Sequence, residues 1–318
     1  TRHGVTGLKP RHIGYENGVL GGVISALNCI CSRGDNVLVH SPTYIGFTKS
    51  LKNNGYEAVH SPLIKDENGI WRMDYADMEK QLREKKIHAA ILCNPHNPCG
   101  RVWERWELEK AMELYRKYDV YVITDEVYEH IVYAPHTHTY FATLPGMWER
   151  TISCSSLSKT YSVTGWRLGY VIAPAPIIER AKKVHDFLTV GAAAPLQEAV
   201  ILGLKFGQDY YDDLLQKYTH KRDLFCKGLD DLGLVHNIPQ GAYYVMLDIS
   251  AFGYDSDLQF CEDLAAKVGV GAVPGSSFFR EPVNHLIRFH FAKKDDTLNE
   301  ALNRLETLRG KIPEKATK

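Results

Sequence analysis

The sequence lacks the features that would identify a membrane protein or a nucleic-acid-binding protein. No apolar run in its 318 residues approaches the length that spans a bilayer, and the N-terminal stretch TRHGVTGLKPRH lacks the hydrophobic core of a signal peptide. Lysine plus arginine and aspartate plus glutamate both number 38, so no basic excess favours nucleic acid or an anionic membrane as partner. These absences predict a soluble, cytoplasmic protein.

Motifs of metal, disulfide and nucleotide chemistry are also missing. The seven cysteines are scattered and form no C-x-x-C pair, which predicts reduced core residues. There is no H-E-x-x-H, and His136 and His138 have no neighbouring cysteine or carboxylate, so no metal site is expected. G-x-G-x-x-G and the P-loop pattern are absent, which counts against a dinucleotide-dependent enzyme and against nucleoside triphosphates.

Short β-rich apolar runs alternate with helical patterns from about residue 20 to residue 190. One helical pattern is ERWELEKAMELYRKYD, in which Leu108, Ala111, Met112 and Tyr115 follow helical spacing. This alternation predicts an α/β fold with a mostly parallel sheet, covered by helices on both faces, and ligands at the carboxyl ends of the strands. The predicted strands are NVLVH (36–40), HAAILC (88–93), VYVIT (120–124), TISCS (151–155) and LGYVIA (168–173).

The pattern changes after about residue 195. An amphipathic helical region extends from Pro195 to Leu232, with a break predicted near Gly207. Short apolar runs and a final helix from about 295 to 309 follow it. We therefore predict two domains, a large one over residues 1–207 and a smaller α+β domain over residues 208–318.

Polar clusters follow three of the predicted strands: NPHNPCG, DEVYEH and SLSK. Asp125 ends a hydrophobic strand, where a carboxylate is costly unless a cationic ligand group compensates it; a helix N-cap is the alternative. Asn97 lies between two Asn-Pro steps and presents its amide to a ligand, or forms part of an ordinary turn. Lys159 is, by itself, most simply a solvated lysine at a turn.

Two further features are compatible with a phosphate site. Gly18, Gly21 and Gly22 open a helical pattern, so their amides are able to hold a phosphate at a helix N-terminus, although a glycine-rich helix start is a common feature. Arg167 lies between Gly165 and Gly169 and offers a bidentate phosphate contact; a surface ion pair is the alternative.

Taken in order, these motifs resemble those of a known enzyme family. NPHNPCGRVW, DEVYEHIVY, LPGMWERT, SSLSKTYSVTGWRLGY and IRFHFAKKDDTL are similar to segments of the class I/II pyridoxal-phosphate aminotransferases of fold type I. The similarity extends over nearly the whole chain and is greatest to the kynurenine, glutamine and methionine aminotransferase group. It implies pyridoxal 5′-phosphate as the cofactor, and amino acids and 2-oxo acids as substrates.

The resemblance also assigns roles to individual residues. It implies that Lys159 forms an imine with the cofactor and then moves the proton, and that Asp125 pairs with the pyridinium nitrogen. It implies that Asn97 and Tyr128 bind the ring O3′, and that Arg288, together with Asn97, binds the substrate carboxylate. The remaining implied cofactor contacts are Tyr44 on the ring, and Ser156, Arg167 and the backbone of Gly18, Val19 and Leu20 on the phosphate.

The sequence alone leaves two alternatives to transamination open. NPHNP followed by GRVW also resembles the MalY-type cystathionine β-lyases, which cleave C–S bonds on the same scaffold, although those tend to lack an arginine equivalent to Arg167. A non-catalytic binding protein that keeps the cofactor for regulation is a third possibility, and the presence of Lys159 argues against it. The resemblance further implies a homodimer, and it implies that a segment of several dozen residues, which usually precedes this point in the family, is absent here.

Overall fold

The computed structural model describes residues 5–191, 193–312 and 314, and its largest element is an eight-stranded sheet. The strand order is β1-β8-β7-β6-β5-β2-β3-β4. Residues 1–4, the start of the N-terminal stretch TRHGVTGLKPRH, lie outside the described residues. The strands are β1 (Ile13–Glu16), β2 (Asn36–Ser41), β3 (Glu57–Lys65), β4 (Trp71–Met73), β5 (Ile87–Cys93), β6 (Tyr121–Asp125), β7 (Thr151–Ser156) and β8 (Gly169–Ile172).

The centre of this sheet is parallel, as predicted. Strands β3, β2, β5, β6 and β7 pair in parallel, whereas β1, β8 and β4 pair antiparallel toward the two edges. All five predicted strands are present. Strand β8 runs antiparallel to β7 because the connection between them contains only two short helical turns and no crossover helix.

Helices cover both faces of the sheet. Successive side chains of β2 point to opposite faces of the sheet, and those on both faces are apolar: Val37 and Val39 pack on one face and Leu38 packs on the other. Both faces therefore need a covering layer. The predicted helix is α4, where Leu108, Ala111, Met112 and Tyr115 are all buried. The helices of this region are α1 (Val19–Ile30), α2 (Ile45–Asn53), α3 (Tyr75–Glu84), α4 (Arg105–Lys117), α5 (Leu157–Thr160), α6 (Ala175–Thr189) and α7 (Ala194–Leu204).

The C-terminal part forms a smaller antiparallel sheet with helices packed against it. Its strands are ordered β10-β11-β9. The predicted helix break is present, since α7 ends at Leu204 and Gly207 is the N-cap of the next helix. The remaining elements are α8 (Gln208–Asp231), β9 (Tyr244–Asp248), α9 (Asp257–Asp263), β10 (Val273–Pro274), β11 (Leu286–His290), α10 (Asp295–Glu306) and α11 (Leu308–Lys311).

One hydrophobic core connects this smaller sheet to the end of β6. Val127 and Tyr128, which follow β6, belong to the same buried cluster as Phe225 of α8 and Phe289 of β11. Hydrophobic packing therefore holds the segment after β6 against the smaller sheet and its helices. The division of the chain between residues 207 and 208 stays a prediction.

The described residues contain no helix long and apolar enough to cross a membrane. In the same part of the chain, no group of three or more histidine, cysteine, aspartate or glutamate side chains is arranged to hold a metal ion. All seven cysteines are described, and each is a free thiol; five are buried, and Cys29 and Cys31 are half-buried.

Candidate active site

The polar clusters at the strand ends meet in one cavity of about 180 Å³. Parallel strands place their carboxyl ends at one edge of the sheet, so Asp125 at the end of β6 and Ser156 at the end of β7 become neighbours. The residues that line the cavity are Val19, Leu20, Tyr44, Asn97, Asp125, Val127, Tyr128, Ser156, Ser158, Lys159, Thr164, Arg167 and Tyr244. Of the site residues that the family resemblance implies, only Gly18 and Arg288 are outside this lining, and Gly21 and Gly22 are outside it as well.

Asp125 is a buried carboxylate with few compensating contacts. It is 6% exposed, and the Val127 N–H donates to its Oδ1 at 3.1 Å. Burial raises the pKa of Asp125 to about 6, and the hydrogen bond from Val127 and the charge of Lys159 oppose that rise. The N-cap alternative is wrong, because the backbone after Asp125 forms a turn and no helix begins there. A cationic group in the cavity would stabilise the ionised carboxylate.

This carboxylate makes the stability of the cofactor-free protein depend on pH. The folded-state pKa of Asp125, about 6, lies above its unfolded value of about 4, so its stabilising contribution is complete below pH 4 and is lost as the pH rises through 6. We expect Asp125→Asn to gain roughly 3 kcal/mol of unfolding free energy relative to the wild type between pH 4 and pH 7.5. Urea unfolding of both proteins without cofactor measures this difference; a difference that does not change with pH would contradict it.

Lys159 lies on α5, a one-turn helix that directly follows β7. Ser156 caps this helix by accepting a hydrogen bond from the Ser158 N–H at 3.1 Å. The half-buried Lys159 side chain places Nζ 3.5 Å from Thr164 Oγ1 and 5.9 Å from the centroid of the Tyr243 ring. The amine is thus presented to the cavity from a fixed turn, and is not a free surface lysine.

Gly18 and Arg167 meet at the N-terminus of α1. Gly18 has a φ of +93°, and a Cβ on it would lie 2.0 Å from Arg167 Nη2. Only glycine is therefore compatible with this contact. The guanidinium donates to the carbonyls of Thr164 and Asn17, each at 2.9 Å, and among the described residues it forms no ion pair. An arginine beside the first amides of a helix forms a favourable environment for an anion such as a phosphate.

Arg288 reaches the same site from β11. Its Nη1 donates to Asn97 Oδ1 at 2.7 Å, so the arginine adjoins the cavity through a residue that lines it. The guanidinium packs on the rings of Tyr244 and Phe278, with its carbon 4.2 Å and 4.4 Å from their centroids. Burial lowers the pKa of Arg288, although an arginine keeps its charge under such a shift.

Several residues of the site are not predicted from the sequence, and among them Tyr244 makes the most contacts with other site residues. Its hydroxyl lies 2.8 Å from that of Tyr128, and both rings are buried. The segment AYYVMLDI predicts only a strand, and the two adjacent tyrosines after Gly241 are the one local signal of a further role. Val127, Ser158 and Thr164 also line the cavity, and nothing in their spacing distinguishes them from their neighbours.

The cavity combines a primary amine, a buried carboxylate and a guanidinium next to a helix N-terminus. An amine binds a carbonyl carbon, a buried carboxylate compensates a cationic ring nitrogen, and the guanidinium with helix amides compensates a phosphate. The residues present therefore fit pyridoxal phosphate.

Comparison with known proteins agrees with a pyridoxal-phosphate site. A family model described as aminotransferase class I and II matches residues 2–305. Kynurenine–oxoglutarate transaminase 3 of Mus musculus is 34% identical in an alignment 311 residues long that covers 89% of this chain and 68% of that protein. Two solved structures are similar: N-succinyldiaminopimelate aminotransferase from Mycobacterium tuberculosis (TM-score 0.91, 34% identity, 96% of this chain and 80% of that one) and a PLP-bound putative aminotransferase from Clostridium difficile 630 (0.86, 28%, 94% and 78%).

Proposed function

This chain belongs to the class I and II aminotransferases, which are pyridoxal-phosphate-dependent enzymes of fold type I, and we propose that it transfers amino groups with Lys159 as the residue that holds the cofactor. The observation that supports this assignment most is the shared cavity, in which Lys159, Asp125 and Arg167 all take part. The substrates are an amino acid and a 2-oxo acid.

Bound in this cavity, pyridoxal phosphate supplies an electron sink for the negative charge that develops at the substrate Cα. In the proposed mechanism, Asp125 keeps the ring nitrogen protonated, because a buried carboxylate is stabilised by a positive charge beside it. Lys159 Nζ takes the proton from the substrate Cα and delivers it to C4′ of the cofactor. One flexible amine thus serves two neighbouring carbon atoms.

The remaining residues hold the two ligands in place. We propose that Arg167 and Ser156 bind the phosphate together with the backbone amides of Gly18, Val19 and Leu20 at the N-terminus of α1. Tyr44 stacks on the ring, and Asn97 and Tyr128 donate hydrogen bonds to the ring O3′. Arg288 binds the substrate carboxylate as a planar fork, with Asn97 as its neighbour.

Arg288 binds a group common to all amino acids, so it does not select a side chain. Around it lie the rings of Tyr44, Tyr244 and Phe278. We propose that the enzyme accepts a broad range of amino acids, with aromatic and sulfur-containing ones among the preferred substrates, because such side chains make favourable contacts with aromatic rings.

The decisive test gives the holoenzyme an amino acid in the absence of any oxo acid. A transaminase accumulates pyridoxamine phosphate and stops after one equivalent of oxo acid per active site. Repeated turnover of a cysteine conjugate, with release of thiol and pyruvate and retention of the aldehyde form, would show a β-lyase instead. Cofactor binding without any change of the cofactor would show a non-catalytic regulator.

We further propose that the enzyme is a cytoplasmic homodimer. Seven free thiols in the described residues are typical of a reducing compartment, and fractionation of cells that express the full-length protein tests this location. The dimer is supported by an apolar surface, by which we mean the exposed apolar side chains at the end of α6, just after it and in α7; several large apolar side chains exposed within a short stretch of chain are typical of a contact surface. Its members are Phe187 (93% exposed), Leu188 (67%), Val190 (91%), Leu202 (65%) and Leu204 (53%).

A charge placed on this surface is expected to separate the subunits. We expect the wild type to sediment as a dimer and Phe187→Glu to shift toward the monomer, because a glutamate cannot be buried unpaired in an apolar contact. Val235→Glu is the matched control: Val235 is also an exposed apolar residue (70%), but it lies outside this surface. An active wild-type monomer at working concentration, or equal effects of both substitutions, would contradict the proposal.

A further inference from the structure

The orientation of Arg288 depends on stacking more than on hydrogen bonds. Its guanidinium has one side-chain partner, Asn97, and its Nε is buried without a hydrogen-bond partner in the described residues. No carboxylate among the described residues pairs with it. The faces of the guanidinium are instead covered by Tyr244 and Phe278. Whatever fixes these two rings therefore also fixes the plane in which the guanidinium presents its donors.

Tyr244 is held within β9, but Phe278 lies in a loop. The loop of residues 278–281 follows a short 3-10 turn and precedes β11. It is fixed to the last residue of β2 and the segment after it by two backbone amides: the Thr43 N–H donates to the Phe278 carbonyl at 2.9 Å, and the Arg280 N–H donates to the side-chain Oγ of Ser41 at 2.8 Å. The Ser41 hydroxyl in turn donates to the Glu281 carboxylate.

Ser41 is the centre of this contact. It is 1% exposed, and its hydroxyl both accepts and donates a hydrogen bond to a loop almost 240 residues away in the sequence. Without the hydroxyl, the Arg280 N–H and the Glu281 carboxylate would each lose their partner. Two of the three hydrogen bonds that hold the loop thus depend on one atom.

A second contact connects the same end of β2 to the other partner of Arg288. His96 Nε2 lies 2.8 Å from the carbonyl of Pro42, which follows Ser41, and His96 immediately precedes Asn97. His96 is 1% exposed, and burial lowers its pKa to about 4, so the ring is neutral near pH 7 and acts as a hydrogen-bond donor to this carbonyl. Two of the three supports of Arg288, the Phe278 ring and the Asn97 amide, are therefore connected to the residues around Pro42.

We propose that Ser41 and Glu281 are positioning residues for substrate recognition: their hydrogen bond holds Phe278 on the face of Arg288 and so sets the plane of the carboxylate-binding fork. This inference rests on the proposed role of Arg288. A bidentate arginine contact requires that the guanidinium and carboxylate lie in one plane, so loss of the covering ring weakens binding even though the charge remains. The proton transfers at Lys159 do not involve this loop.

The test measures how the holoenzyme binds α-methylalanine, which has an amine and a carboxylate but no proton on Cα. The absorbance of the cofactor reports its Kd without turnover. We expect Ser41→Ala and Glu281→Ala to raise this Kd about tenfold, which corresponds to the loss of one or two buried hydrogen bonds. Under saturating substrate, kcat should stay within about twofold of the wild-type value, because binding and not chemistry is affected.

Three controls make the result specific. Glu281→Gln keeps an acceptor for the Ser41 hydroxyl and should restore a Kd within about twofold of wild type, which a loss of general stability would not do. Ser277→Ala changes an exposed serine in the adjoining turn and should have no effect. Arg288→Lys removes the fork itself and should weaken binding more than either alanine variant.

The controls also separate two kinds of failure. If Arg288→Lys leaves the Kd unchanged, Arg288 does not bind the carboxylate and the proposed site is wrong. If Arg288→Lys weakens binding while Ser41→Ala and Glu281→Ala do not, the site stands and the positioning role is wrong. A kcat that falls in proportion to the rise in Kd would also overturn the positioning role, because it would show an effect on the chemical step.

Discussion

Lys159→Ala yields a folded protein that binds pyridoxal phosphate but does not sustain transamination, with kcat lowered by at least about 10²- to 10⁴-fold. The expected loss is large because the variant has no base that reaches both the substrate Cα and C4′. The fold should tolerate the change, since Thr164 Oγ1 is the only hydrogen-bond partner of the Lys159 amine among the described residues and the side chain is half-buried.

The measurement is kcat at saturating substrate, with thermal unfolding and cofactor absorbance recorded on the same preparation. Lys205→Ala is a suitable control, because this exposed lysine lies at the end of α7, away from the cavity lining. Turnover of Lys159→Ala at a rate near that of the control would show that another residue carries the proton.

Asp125→Ala should lower the rate of the chemical step by roughly 10²- to 10⁴-fold, because removal of one partner of a buried ion pair costs about 3–5 kcal/mol. Asp125 is the only carboxylic acid among the side chains that line the cavity. Without it the ring nitrogen loses its proton, and the cofactor loses its capacity to accept electrons from Cα.

The Asp125→Asn variant separates the effect of the carboxylate charge from the effect of the side-chain shape. The amide has nearly the same volume and retains an acceptor for the Val127 N–H, but it carries no charge. We expect Asp125→Asn to be as slow as Asp125→Ala in a single-turnover experiment with bound cofactor. Full activity of Asp125→Asn would contradict the proposed role, because it would show that the carboxylate charge is not required.

The sequence predicts the centre of the large sheet well and its edges poorly. Strands β2, β5 and β6 contain continuous apolar runs because both faces are covered by helices, and such runs are easily recognised. Strand β7 (TISCSS) is buried along its whole length but combines two apolar residues with serine and threonine, which have short side chains. Strand β3 contains Pro62, which pairs in register with Ser41, and its half-buried residues give no clear pattern. Strands β1 and β4 are only four and three residues long.

In the candidate site, too, some residues are marked by local sequence patterns and others are not. Asn97, Asp125 and Lys159 each follow a strand of the parallel sheet, so local patterns and the fold class together predict that they meet. Tyr244, Ser41 and Glu281 take their positions from contacts between segments far apart in the chain, such as the Ser41–Glu281 hydrogen bond over 240 residues. No local signal marks such residues, because their neighbours are determined only when the two parts of the chain pack.

The central claim, that Lys159 is the residue that holds pyridoxal phosphate, is tested most directly by borohydride reduction of the holoenzyme followed by peptide mass mapping. Reduction converts a lysine-bound cofactor into a stable secondary amine, so the modified peptide identifies the lysine. We predict one modified peptide, with the cofactor mass on Lys159 in SSLSKTYSVTGWR. A label on any other lysine, with Lys159 unmodified, would contradict the assignment.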